Sequence, residues 1–171
     1  EQNGPKNNQP VNKVSPDDSV KHPGDSRSAL QAPARAIPGN IILELNLADS
    51  TDLQQLPGIG PSFGARIMKY RQLLGGYIRK EQLMEVYGMD NIRYAGIVEH
   101  LSVDSSLVRK INLNTAGIKE LMKHPYIEFY LAKTIVNYRD KQGGITSVDS
   151  LMKNTGIPRD LMDKILPYLE L

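Results

Sequence analysis

Apolar residues from Ile41 onward recur in short clusters, and turn signals separate these clusters at short intervals. The longest predicted helix covers residues 61–74, because its apolar positions fall at helical spacing. These positions are Phe63, Ile67, Tyr70 and Leu74. Pro61 suits the first turn of this helix, and Gly75 with Gly76 ends it. The pattern predicts an all-α body.

Shorter helices are predicted on both sides of this one. Asp49 and Asp52 have the spacing of a capping box, which predicts the start of a short helix that precedes residue 56. Further short helices are predicted at four places, residues 81–86, 91–101, 148–152 and 159–169.

The chain repeats itself with an offset of 68 residues. When residues 45–101 are aligned with residues 113–169, 16 of the 57 positions are identical and no gap is needed. The identical positions include the turn glycines, so the agreement covers loops as well as helices. We therefore predict two tandem copies of one unit, at residues 41–104 and 105–171.

Residues 1–40 differ from the rest of the chain in composition. They hold six of the 11 prolines, many small polar residues and no apolar period, which predicts a flexible linker. The whole chain has no cysteine, which excludes disulfides and thiolate metal sites. Its formal net charge of +2 is too small to indicate a partner, and no apolar run is long enough to cross a bilayer.

The segment LPGIG, residues 56–60, lies directly before the longest predicted helix. Gly58 and Gly60 can both adopt positive φ, and without side chains they leave their backbone N–H groups uncovered. Those amides lie at a helix N-terminus, where the macrodipole adds about half a positive charge and attracts phosphate. Ile59 between the glycines is expected to point inward and hold the turn against the core.

From about Leu43 to its end, the chain resembles the helix-hairpin-helix family, and within it the ComEA-like competence proteins that bind DNA outside the cytoplasm. The resemblance rests on LNLADSTDLQQLPGIGPSFGARIMKYRQLLGGYIRKEQL and INLNTAGIKELMKHPYIEFYLAKTIVNYRDKQGGITSVDSL. It implies tandem (HhH)2 bundles with two hairpins in each unit. It also implies non-sequence-specific binding of duplex DNA through hairpin amides, as in DNA uptake, because contacts to backbone phosphates carry no base information.

Three of the four implied hairpins depart from the pattern. In the third hairpin, Tyr126 and Glu128 stand at the two glycine positions, so side chains and a negative charge are expected over the amides. The second hairpin has Asp90 and the fourth has Pro158 at the second glycine position, and proline removes one N–H donor. We therefore predict that only the first hairpin is intact.

Three polar residues after the first hairpin fall on one side of the predicted helix, at steps of four and three. Ser62 could donate to a phosphate, and Arg66 and Lys69 could attract and hold it. The alternative is that these cations only form a solvated surface. The predicted DNA-binding residues are Gly58, Ile59, Gly60, Ser62, Arg66 and Lys69.

The net charges of the two units lower the affinity for DNA that this prediction implies. Residues 41–104 carry six Lys or Arg against eight acids, a net of −2. Residues 105–171 carry ten against seven, a net of +3. The unit with the intact hairpin is the less basic one, so its affinity for duplex DNA is expected to be weak and steeply dependent on salt. The basic residues of the second unit could add non-specific attraction, or they could only maintain solubility.

No catalytic or metal site is predicted. The three histidines have no partner pattern, and no cofactor motif is present. Some DNA glycosylases contain the same hairpin, but their catalytic Asp has no equivalent here, so an enzyme is not expected. The alternative function is a non-catalytic helical scaffold that docks a protein through Tyr126, Phe129 and Tyr130, as the ComEA-like repeats of photosystem extrinsic subunits imply.

The expected location is extracytoplasmic, either periplasmic or membrane-anchored ahead of Glu1. The absence of cysteine and a first residue other than methionine are compatible with that location, and the ComEA-like resemblance implies it.

Overall fold

The computed structural model describes residues 41–171, which consist mainly of short helices. The predicted linker, residues 1–40, lies outside the described residues. The all-α fold with tandem units is confirmed. Within residues 41–171, no helix is both long and apolar enough to span a membrane.

The first repeat contains three α-helices and closes with a short parallel strand pair. The helices are α1 (Ser50–Leu53), α2 (Pro61–Leu74) and α3 (Asn91–Ile97). Two 3₁₀ helices cover Lys80–Glu85 and Val98–His100. Strand β1 (Leu43–Glu44) pairs in parallel with β2 (Leu101–Ser102), with Leu43 opposite Leu101.

The second repeat has the same order of elements, and a 3₁₀ turn at Ser105–Leu107 leads into it. Its α-helices are α4 (Ile118–Leu121), α5 (Phe129–Gln142), α6 (Val148–Thr155) and α7 (Arg159–Ile165), followed by a 3₁₀ helix at Leu166–Tyr168. Strand β3 (Ile111–Asn112) pairs in parallel with β4 (Leu169–Glu170), with Ile111 opposite Leu169. The residues of the second strand pair follow those of the first by 68 positions, which is the offset of the sequence repeat.

Local sequence explains where the helices start and stop. The Asp49 carboxylate accepts from the backbone N–H groups of Thr51 and Asp52 at 2.7 and 2.9 Å, and Asp52 reciprocates, so the predicted capping box is confirmed. Pro61 occupies the first position of α2, and Gly75 ends it in the left-handed region with φ 84°.

Each repeat has its own apolar core. The first core is built around Leu45, Leu53, Ile67, Leu83 and Ile97, all at most 1% exposed. The second is built around the equivalent residues Leu113, Leu121, Ile135, Leu151 and Ile165, all fully buried. These identical positions of the sequence repeat are therefore packing positions.

The repeated Asn and Arg residues are also structural. Asn46 donates to the Tyr77 carbonyl at 2.9 Å and accepts from the Tyr77 N–H at 2.7 Å. Arg71 donates to the Leu45 and Ala48 carbonyls at 2.9 and 2.7 Å. Asn114 and Arg139 make the equivalent bonds in the second repeat. In each repeat these bonds join the segment after the first strand to the long helix and to the loop that follows this helix.

The two repeats are joined by a small polar network. Tyr168 of the second repeat is fully buried in the core of the first, where its hydroxyl accepts from Gln82 Nε2 at 2.6 Å. The same amide donates to the Tyr126 hydroxyl at 2.9 Å. Tyr126 and Tyr70 both donate to one Glu85 carboxylate oxygen, at 2.6 and 2.5 Å. Burial is the main cause that raises the pKa of both hydroxyls, and Glu85 raises it further, so both remain protonated donors.

Candidate nucleic-acid interface

The first hairpin, residues 56–60, is a tight turn between α1 and α2. Gly58 has φ 75°, a backbone conformation that residues with a Cβ rarely adopt. Its predicted positive φ is therefore confirmed. The Ile59 N–H donates to the Leu56 carbonyl at 3.1 Å and closes the turn. The expectation of positive φ at Gly60 is wrong. Gly60 is the N-cap of α2, and N-cap residues adopt extended backbone angles, here φ −93° and ψ 178°.

Two amides of this hairpin are open. Gly58 and Gly60 are exposed, and within residues 41–171 their N–H groups have no hydrogen-bond acceptor. The Ile59 side chain is only 4% exposed and holds the turn against the core, as expected. Since its N–H is used within the turn, Ile59 offers no free donor. The hairpin therefore presents two donors at the N-terminus of α2.

The second hairpin, residues 86–90, has the same backbone design. Gly88 has φ 86°, and the Met89 N–H donates to the Val86 carbonyl at 2.9 Å. Asp90 is exposed, and within residues 41–171 neither its N–H nor that of Gly88 has an acceptor. The Asp90 carboxylate caps α3 by accepting from the Arg93 N–H at 2.8 Å and forms an ion pair with the guanidinium at 2.9 Å. Because this acid is engaged within the fold, the second hairpin keeps two amides without acceptors, whereas the sequence predicted that only the first hairpin is intact.

Arg93 joins the two hairpins. Its guanidinium donates to the Gly88 carbonyl at 2.9 Å and to the Gly58 carbonyl at 3.3 Å. It also lies 4.7 Å from the centre of the Phe63 ring, a cation–π distance. Sequence reasoning missed this residue because the two turns meet only in the folded chain. The available signal was a cation three residues after the Asp90 N-cap.

Arg66 lies beside the same hairpins, on the exposed side of α2. Its guanidinium is 5.3 Å from the Tyr87 ring centre and 5.6 Å from that of Phe63, and it donates to the Tyr87 carbonyl at 3.3 Å. Ser62 is exposed in the first turn of α2. The structure thus places Arg66 against the second hairpin, while Ser62 follows the first hairpin directly in the first turn of α2.

Paired hairpins of this kind have a counterpart in known sequences. The sequence profile of the helix-hairpin-helix motif matches residues 40–102 and 108–170. The chain belongs to the helix-hairpin-helix family. The ComEA-like subfamily assignment stays a prediction.

Several curated proteins are similar to this helix-hairpin-helix chain. They carry the name Endonuclease/exonuclease/phosphatase family domain-containing protein 1. Identity is 30% over 141 residues for Danio rerio, 28% over 144 for Xenopus laevis and 25% over 152 for Homo sapiens. Each match covers 72% of this chain and 26 to 27% of the relative, so the chain spans about a quarter of their length. No solved structure matches it.

The helix-hairpin-helix turns of the second repeat lack the paired open amides. In the third hairpin, the Tyr126 N–H donates to Nδ1 of His124 at 3.3 Å, and exposed Glu128 is the N-cap of α5. In the fourth, the Gly156 N–H donates to the Met152 carbonyl at 3.0 Å, and Pro158 has no N–H. The geometry shows that each of these two hairpins has fewer available amide donors than the hairpins of the first repeat.

Lys69 lies away from the hairpin tips. It lines a cavity beside Arg109, Lys110 and Lys123, where the first repeat meets the start of the second. The sequence placed Lys69 in line with Arg66 along α2, and that direction leads toward this cavity.

The three aromatic residues predicted as a docking patch do not form one surface. Tyr126 turns toward the first repeat, where it donates to Glu85, and is half-buried. Phe129 and Tyr130 are 48% and 81% exposed, and their rings meet edge to face at 6.0 Å. Only Phe129 and Tyr130 remain as an exposed aromatic pair. Among residues 41–171, no group of three His, Asp or Glu could hold a metal ion.

Proposed function

We propose that the chain binds duplex DNA without sequence preference, through the two hairpins of its first repeat. The observation that supports this is a set of backbone N–H groups without acceptors in four exposed residues, Gly58, Gly60, Gly88 and Asp90. Amides at a helix N-terminus attract phosphate oxygens through their unpaired hydrogens and the helix dipole. Since phosphates are the same at every base pair, such contacts set position without selecting sequence.

The cations beside the hairpins differ in what they can contribute. Arg93 is paired with Asp90, so its main role is to hold the two turns in register. Arg66 has no carboxylate partner within residues 41–171, and its charge is available to a phosphate. With a net charge of −2 over residues 41–104, the affinity of the hairpins should be modest and fall steeply with salt.

We propose no catalytic activity for these residues, because the helix-hairpin-helix motif is a binding motif. The named endonuclease/exonuclease/phosphatase family domain belongs to the relatives, of which this chain covers about a quarter. An extracytoplasmic location and a role in DNA uptake stay predictions.

The sharpest test of the hairpin is a charge placed at Gly60. Its φ of −93° suits any residue, and a Cβ there would meet no atom within 4 Å, so substitution should not disturb the fold. Gly60→Glu puts a carboxylate at the opening, as Glu128 does in the third hairpin. We expect affinity for a duplex of about 20 base pairs, measured by fluorescence anisotropy at about 0.1 M salt, to fall by about tenfold.

Two controls accompany this variant. Gly60→Gln has nearly the same shape without the charge and should retain most of the affinity. Gly117→Glu adds the same charge at another exposed N-cap, where a Cβ also meets nothing within 4 Å, and should bind like wild type. Equal binding by wild type and Gly60→Glu would refute the site.

The exposed pair Phe129 and Tyr130 favours a second candidate function, docking of a protein partner. If this is the function, wild type should show no measurable affinity for duplex DNA even at low salt. If DNA binding is the function, the double substitution of both aromatics by serine should leave duplex affinity unchanged.

A further inference from the structure

A basic groove lies where the two repeats join. Two adjoining cavities of about 520 and 480 Å³ share Gln72, Gly75 and Arg109 in their walls. We call them together the junction groove. It runs between the C-terminal end of α2, the segment that connects the repeats and the start of the second repeat.

The groove concentrates positive charge. Five cations line it, and Glu120 is the single carboxylate in its wall: the cations are Lys69, Arg71, Arg109, Lys110 and Lys123. Four of the five are exposed, and within residues 41–171 none of them pairs with an acid. This local charge of +4 contrasts with the net charge of −2 over residues 41–104. Cations clustered in a concave surface attract a polyanion more strongly than scattered ones.

The second repeat provides an internal comparison. Its cavity at the equivalent place is lined by Arg139 and Asp140, which form an ion pair at 3.0 Å. Asp140 corresponds to Gln72, and the wall of that cavity has no counterpart of Arg109, which the connecting segment supplies in the first repeat. The excess of charge is therefore a property of the junction and not of the repeated fold.

The connecting segment is fixed against α2, which places its cations in advance. The Arg109 N–H donates to the Gly75 carbonyl at 2.9 Å. The approach is so close that a Cβ on Gly75 would lie 2.6 Å from the Arg109 carbonyl oxygen. The backbone at Arg109 is thus held in place before any ligand binds.

Helix α2 leads from the first hairpin to the groove. Ser62, Arg66 and Lys69 follow one side of it, and a rise of 1.5 Å per residue puts Lys69 about 14 Å beyond Gly60 along the axis. Duplex DNA carries one negative charge per about 1.7 Å of its axis, so a backbone held at the hairpin has further phosphates at that distance.

We propose that the junction groove binds the phosphate backbone of the duplex that the hairpins hold, and that it supplies much of the salt-dependent affinity. This inference rests on the proposed function. It assigns to the second repeat, whose hairpins lack paired open amides, a direct contribution through Lys110 and Lys123.

The test compares two double charge reversals with the same change in net charge. Lys110→Glu with Lys123→Glu alters the groove, while Lys141→Glu with Lys153→Glu alters exposed positions of the second repeat outside it. Binding to a duplex of about 20 base pairs is titrated from about 50 to 200 mM salt. We expect the groove variant to lose about tenfold in affinity, and its slope of log K against log salt to become shallower by roughly 1.8, at 0.9 per lost phosphate contact.

The outcomes separate this inference from the proposed function. A lower affinity and a shallower slope of log K against log salt in the groove variant alone would support the inference. Equal losses in both variants would indicate a general charge effect and overturn it. If Gly60→Glu weakens binding while the groove variant binds like wild type, the inference fails and the hairpin function stands. If wild type does not bind the duplex, both fail. Circular dichroism melting confirms that the variants fold.

Discussion

His124 occupies a position where the first repeat has Leu56. The residue is 2% exposed, its ring centre lies 4.4 Å from that of the tilted Tyr168 ring, and Nδ1 accepts a hydrogen bond from the Tyr126 N–H. Burial lowers the pKa of His124 to about 4, and nearby Lys164 acts in the same direction, while the Leu74 backbone and Glu85 oppose the shift. The fold therefore holds this histidine neutral.

We predict that stability falls as the pH drops from about 6.5 to 4. In this window the unfolded chain takes up a proton at His124 and the folded chain does not, so the stabilisation present above pH 6.5 is lost on acidification. The expected loss is about 2 kcal/mol after allowance for solvent screening. His124→Leu should remove this contribution, measured by urea unfolding at several pH values.

His100→Leu is the matched control and should retain this pH dependence of stability. An unchanged pH dependence in His124→Leu would contradict the prediction.

Single residues differ in how well sequence alone predicts their roles. The positive φ of Gly58 and the inward side chain of Ile59 follow from local turn chemistry, and both are confirmed. Arg93 could not be identified because its acceptors, Gly58 and Gly88, are 30 residues apart in the chain. The use of Asp90 as a cap with an ion pair likewise depends on where Arg93 points.

The long helices α2 and α5 end in the same way but meet different surroundings. Gly75 and Gly143 both cap in the left-handed region, with φ 84° and 73°. A Cβ at Gly75 would lie 2.6 Å from the Arg109 backbone oxygen, whereas one at Gly143 would meet nothing within 4 Å. The same sequence signal, a glycine pair, thus ends the long helix in both repeats. In the first repeat, the absence of a Cβ also lets the connecting segment pack against Gly75.

We predict that Gly75→Ala destabilises the protein more than Gly143→Ala. Both substitutions force alanine into positive φ, at a cost of about 1 kcal/mol. Gly75→Ala additionally displaces the backbone at Arg109, and we expect about 2 kcal/mol more. Urea unfolding of the two variants measures the difference. Equal stabilities would show that the connecting segment moves aside freely.

Helix starts and stops were predictable where a side chain acts on its own turn, as at Asp49, Pro61 and Gly75. The short parallel pairs β1–β2 and β3–β4 were not predicted, because each joins two-residue strands that are more than 50 residues apart. Such strands are too short to show an alternating pattern.

Across the described chain, the two repeats share buried groups and do not simply follow one another. Tyr168 completes the core of the first repeat, and Gln82 donates to both Tyr126 and Tyr168 of the second. The repeat could be predicted from the sequence because identical residues fill equivalent packing positions. The contact between the repeats could not be predicted, since Gln82 and Tyr168 lie at positions where the two repeats differ.

We predict that Tyr168→Ala destabilises the first repeat as well as the second. Truncating a fully buried aromatic should cost about 3 to 5 kcal/mol, whereas Tyr168→Phe, which loses only the hydroxyl, should cost about 1 kcal/mol. Hydrogen exchange of the α2 amides, measured beside urea unfolding, should show reduced protection in Tyr168→Ala. Protection that falls only in the second repeat would contradict the shared core.

The position of Tyr168 also has a consequence for biosynthesis. A ribosome makes the first repeat well before it adds this residue, so the emerging first repeat has an unfilled place in its interior until translation passes residue 168. During that interval we expect the first repeat to be more sensitive to proteases. We also expect its hairpins to be less rigid, so that they bind nucleic acid less well.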